Sequence, residues 1–163
     1  MPTKPALSLF TAPFLITSLT GCHSAPLPTT AHTETTDSCQ VLTPAEISAT
    51  LGIPIGPGQH ALASSNIMCS WYQAGGTGED ARKLVLNFTS LPSFQKEKAA
   101  TAVTITPAPG IGDEAFYVTT DLGTSLFIRK GNTAIAFSVH EKLPPATLMA
   151  EEKTLGLDAT PRL

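Results

Sequence analysis

Several groups of residues in this chain have the types and spacings that chemistry uses. Asp113 and Glu114 are neighbouring carboxylates with Tyr117 close behind, a set that offers proton acceptors and a hydroxyl donor. Ser93 and Lys96 stand at Ser-x-x-Lys spacing, by which a lysine activates a serine nucleophile on the first turn of a helix. The supporting parts of that machinery are missing. Ser64-Ser65-Asn66 imitates the second motif but precedes Ser93, there is no Lys-Thr-Gly, and the chain is short for such a fold. Gly110-Ile111-Gly112-Asp113-Glu114-Ala115 matches a dinucleotide-binding fingerprint by letter. That motif needs a strand before it and a helix after it. Here a Pro-rich loop precedes and a strand follows, so the glycines read as a turn whose Asp113 bonds nearby backbone amides. His23, His32, His60 and His140 show no His-x-x-x-His or His-Glu spacing, and no third or fourth ligand joins the thiols of Cys39 and Cys69. No metal and no cofactor is expected.

The elements that must position these residues are marked by turn and cap signals. Thr43-Pro44-Ala45-Glu46 fits a capping box, Leu42 and Ile47 fit a hydrophobic staple, and the helix runs to Leu51 before Gly52 stops it. Residues 53–58 are loop. Strands are predicted over 66–73 and 83–89, joined by a flexible hairpin connection. Trp71 shares a face with Ile67 and Cys69 and reads as core. Tyr72 points the other way and is a candidate contact for a ligand or partner. A second helix is predicted from Ser90 to about Ala102, with Phe94 inward. Strands follow over 114–119, 124–129 and 133–140, with a two-residue hairpin turn at Gly131-Asn132. A last helix runs from Ala146 to about Leu155 and ends at Gly156. The order α-β-β-α-β-β-β-α predicts an α+β domain: an antiparallel sheet of about five strands with helices gathered on one face.

The N-terminus is of another kind. Lys4 is followed by an apolar stretch from Ala6 to Leu19, shorter than the roughly 20 residues a mature spanning helix needs. A charged start, a short apolar core and small residues form a secretory leader. Its end, Leu19-Thr20-Gly21-Cys22, resembles the lipobox of bacterial lipoproteins. The resemblance implies cleavage before Cys22, acylation of Cys22, and an extracytoplasmic protein held on a membrane by its acyl chains. His23 is not Asp, which favours the outer membrane if the source is Gram-negative. No other apolar run is long enough to span a membrane.

Without residues 1–21 the chain has nine basic and thirteen acidic side chains, a net charge of −4. Phosphate backbones select clustered Lys and Arg, so the charge argues against nucleic acid, and no nucleic-acid partner is expected. Residues 22–38 comprise the lipidated cysteine and a polar Thr/Ser/Ala/Pro tether. Residues 39–158 form one globular domain, and 159–163 a tail. With Cys22 lipidated in an oxidising compartment, Cys39 and Cys69 remain as an even pair and are expected to form a disulfide.

Cys39-Gln40-Val41-Leu42-Thr43-Pro44-Ala45-Glu46, then Leu51-Gly52, then Cys69-Ser70-Trp71, together with the Gly110–Ala115 turn, resemble small bacterial envelope lipoproteins of unknown function. Val41 stands where the usual pattern has Leu. The resemblance implies an extracytoplasmic, disulfide-bonded α+β domain and supplies no activity. The leading expectation is a non-catalytic binding domain acting through its sheet face or loops, with Tyr72, Asp113, Glu114 and Tyr117 as candidate contacts. An envelope protein, a cell-wall component or a small apolar ligand is the partner class. A carrier would instead need an apolar pocket beneath Leu86, Phe88, Phe116 and Phe137. A hydrolase would have to work through Asp113 and Glu114.

Overall fold

The structure, a computed structural model, describes residues 36–76, 81 and 83–163. The expected leader, Cys22 and most of the expected tether lie outside the described residues. The chain divides into two units, Met1–Thr30 and Ala31–Leu163. Within the second, a 3-10 turn at Ser38–Gln40 leads into α1 (Pro44–Leu51), β1 (Gln59–Leu62), β2 (Ser65–Tyr72), β3 (Lys83–Thr89) and α2 (Leu91–Lys98). Then come β4 (Thr104–Pro107), β5 (Glu114–Thr120), β6 (Gly123–Lys130), β7 (Thr133–His140) and α3 (Pro145–Ala159), closed by a 3-10 turn at Thr160–Arg162.

The class is α+β. The sheet has seven strands rather than about five, in the order β1-β2-β3-β7-β6-β5-β4, with every pairing antiparallel. The two additional strands are its edges. β1 follows a Gly/Pro loop and is largely exposed, and β4 ends on Pro107, so neither shows the half-buried alternation that marks a strand in sequence.

Cross-strand register assigns the faces. Cys69 and Trp71 lie beside Leu86 and Leu84, these beside Phe137 and Val139, then Leu126 and Ile128, then Tyr117 and Ala115. This first face meets α1 and α3 in the main core, which also holds Ile47, Leu51, Leu148, Leu155 and Ala159. The opposite face carries Phe116, Phe127 and Ala134, and Phe94 of α2 packs there. Phe116 and Phe127 stack 5.2 Å apart, and Phe94 meets Phe116 edge-on at 5.0 Å. The helices therefore do not gather on one face. α2 crosses to the second because β5 to β7 are apolar on both sides there.

The helix ends show how local signals were used. At α1, Thr43 accepts from the Glu46 amide at 3.3 Å while Glu46 accepts from the Thr43 amide at 2.8 Å, and Gly52 caps the end at φ 67°. Ser90 caps α2, which stops at Lys98, short of the expected Ala102. α3 runs through Gly156 to Ala159. Gly156 is a contact point instead of a stop: a Cβ there would lie 2.9 Å from Leu126 Cδ2. The last five residues are no loose tail. Leu163 is buried, and Arg162 donates to the Val41 carbonyl at 2.8 Å.

Candidate functional site

The candidate contacts separate into three places. Asp113 and Glu114 sit at the start of β5, after a loop with Gly110 at φ 86° and Gly112 at φ 59°. A Cβ on Gly112 would come 2.5 Å from the Arg129 carbonyl, so only glycine lets this loop lie against β6. The Asp113 amide donates to that carbonyl at 2.9 Å, and Asp113 Oδ2 accepts from the Gly131 amide at 2.7 Å. Asp113 thus ties its own loop to the β6–β7 turn. Glu114 is held between Lys98 of α2 and Arg129 Nε, the latter at 3.3 Å. Hydrogen bonding from Lys98 first, and from Arg129, holds its carboxyl below the usual carboxylate range. A carboxylate so held has no proton to give at neutral pH, the reverse of what a general acid needs. Beside this knot lies a groove of about 300 Å³ lined by Lys98, Ile105, residues 107–112 and Phe116.

Tyr117 does not join that knot. It lies on the first face, buried, and its hydroxyl donates to the Met149 carbonyl of α3 at 3.0 Å. Desolvation first, and then the charge of Glu152, raise its pKa. Its role is packing α3 onto β5.

Tyr72 lies on the second face, half-exposed, with Lys83 Nζ 5.9 Å from its ring centroid. Around it is the half of this face that α2 leaves uncovered. One cross-strand row reads Ser70, Val85, Ser138, Ser125 and the next Tyr72, Lys83, His140. Ser125 donates to Ser138 at 3.0 Å. Burial first, and then Lys83, lower the pKa of His140. This surface is open, hydroxyl-rich and carries one aromatic ring.

Cys39 and Cys69 form a disulfide, with Cα atoms 5.1 Å apart. His60 of β1 lies beside it, Nδ1 3.7 Å from Cys39 Sγ and Nε2 3.4 Å from Asp37 Oδ1. Asp37, Cys39 and His60 thus have atoms at metal-ligand spacing, although the disulfide already occupies the sulfur. Sequence spacing does not show this, because β1 carries no strand signal and His60 is far from Asp37 and Cys39 in the chain.

Glu152 was also missed. It is fully buried between α3 and the sheet, where Oε1 accepts from the Val139 amide at 3.3 Å and Oε2 has no hydrogen-bond partner among the described residues. Burial pushes its pKa up to about 7, tempered by Thr124 and the Val139 amide. Its position was readable: Leu148, Glu152, Leu155 and Ala159 form one buried stripe of α3.

The pocket expected beneath Leu86, Phe88, Phe116 and Phe137 does not form as one cavity. The first, second and fourth point to one face and Phe116 to the other, with the sheet between them. Among the described residues no helix is long and apolar enough to cross a membrane. Comparison with protein-family models, with curated proteins and with solved structures finds no match to this chain.

Proposed function

We propose that this chain is a lipid-anchored extracytoplasmic envelope protein whose folded part is a non-catalytic binding domain. The observation that carries the reading is the disulfide. It pairs Cys39 with Cys69, so that of the three cysteines in the sequence Cys22, at the end of the apolar leader, is the one left over. A bonded pair suits an oxidising compartment, and an unpaired cysteine in Leu-Thr-Gly-Cys suits acylation. The resemblance to small envelope lipoproteins points the same way.

The binding surface is the uncovered half of the second sheet face, centred on Tyr72, Ser70, Ser125 and Ser138. Its hydroxyls and ring favour a polar, neutral partner such as a cell-wall component over an apolar small molecule. The placement of Phe116 away from Leu86 and Phe137 weighs against the carrier.

The test is metabolic labelling with an alkyne fatty acid during expression of the full chain. Label on the wild-type protein that disappears in Cys22→Ala is the expected result. An unlabelled wild-type chain, secreted free, overturns the reading.

A further inference from the structure

We infer that the tip of the β1–β2 hairpin sits in the headgroup boundary of the membrane that carries the anchor. The inference rests on the lipoprotein reading above. Pairing of β2 with β3 begins at Met68, whereas pairing with β1 extends to Leu62 opposite Ser65, so the end of the hairpin overhangs the sheet. Leu62 is 67 % exposed, Ile67 59 % and Met68 37 %. These are large apolar side chains that the fold leaves uncovered at one place.

Their arrangement favours a lipid surface over a protein partner. Ile67 shares the face of Cys69 and Trp71, and Met68, next to Asn66, shares the face of Ser70 and Tyr72, so exposed apolar side chains stand on both sides of the strand. A partner docked on one side leaves the other in water, whereas an apolar medium covers both. From Ile47 to Gly78 the chain carries no Asp, Glu, Lys or Arg, so entry desolvates no charge of this segment. Ser64, Ser65 and Asn66 at the turn limit the depth, because their polar groups find partners at the headgroups and none in hydrocarbon.

The described chain begins beside this hairpin. Asp37 lies 3.4 Å from His60, two positions before Leu62 on the same strand. Fifteen residue steps separate Cys22 from Asp37, a covalent span of at most about 50 Å. An anchor covalently joined within that span raises the local concentration of the tip at the membrane, so that a contact too weak to capture a free protein is still occupied.

The test uses the full lipidated chain in vesicles of phosphatidylethanolamine and phosphatidylglycerol, with Ile67→Trp, Leu62→Trp and, as control, Leu122→Trp. Leu122 is exposed at the β5–β6 turn, the opposite end of the sheet, and native Trp71 is buried and gives a constant background. Replacing ordinary lipid by brominated lipid should quench the Ile67→Trp and Leu62→Trp emission by about twofold and leave Leu122→Trp unchanged. A chain that floats with the vesicles but shows no quenching at either tip position overturns the inference and leaves the lipoprotein reading standing. So does equal quenching at both ends of the sheet. A chain that fails to float overturns the lipoprotein reading, and the inference falls with it.

Discussion

Arg162, the penultimate residue, donates to Glu46 Oε2 at 3.0 Å while the same oxygen caps the first turn of α1. One carboxylate therefore closes the first helix of the domain and fastens its last turn. Glu46 is held down to about pH 2, by the Arg162 hydrogen bond first and the Thr43 bonds besides, with partial burial opposing them. Because the folded pKa lies below the unfolded value, the pair stabilises fully above about pH 4.5. That contribution is lost as pH falls from there through 2.

Arg162→Ala is expected to lower stability by about 1–3 kcal/mol at pH 7. The deficit should shrink as pH falls below about 4.5, since wild type then loses the same bond. Urea melts across that range measure it. A deficit independent of pH would show that Arg162 acts by packing alone.

Glu152 has the opposite sign. Its folded pKa of about 7 lies above the unfolded value, so wild type is most favoured below about pH 4.5 and loses stability as pH rises through 7. The full window corresponds to about 3 kcal/mol. Glu152→Gln should match wild type near pH 5 and exceed it at pH 8. Parallel pH profiles for the two proteins would exclude a buried titration at this position.

Gly112→Ala should cost about 1–3 kcal/mol, since its Cβ would meet backbone and its φ is positive. Moving the Gly112 loop would also release the Asp113 latch on Gly131. Amide exchange at Gly131 should be faster in the variant than in wild type, because the bond to Asp113 protects it. An unchanged rate would mean that the latch holds without the close approach.

The double variant Cys39→Ala, Cys69→Ala should lose about 3–4 kcal/mol in the chain-entropy view of a closed loop of this length. Guanidinium midpoints compare it with oxidised wild type. Equal midpoints would place no stabilising cross-link there.

Much of this fold was legible because it is written in local signals. The capping box at Thr43, the limits of β3 and β7 and the Gly131-Asn132 turn follow from residue type and spacing. The division of the helices did not, although its trace was present. Ala115–Val118 and Ala134–Phe137 are unbroken apolar runs, the mark of strands covered on both faces, and only tertiary contact shows that Phe94 supplies the second cover. Tyr117 was misplaced for the same reason: nearness to Glu114 in sequence says little across a sheet, where odd steps change face. Gly156 looked like a helix end because glycine usually is one there, and a close approach to Leu126 is invisible without the partner strand. Asp37, His60 and the disulfide meet only because a four-residue edge strand exists that no periodicity announces.

The disulfide also has a mechanical meaning. A pull on the N-terminal side of the domain is passed to Cys39, and from there the stiffest path runs through the sulfur bridge into β2. α1, the loop after it and β1 lie between the bonded cysteines and stay slack under that load. Tension therefore enters the sheet next to Trp71 without first peeling the weak edge strand, and a domain pulled from its N-terminal side keeps its most exposed elements folded.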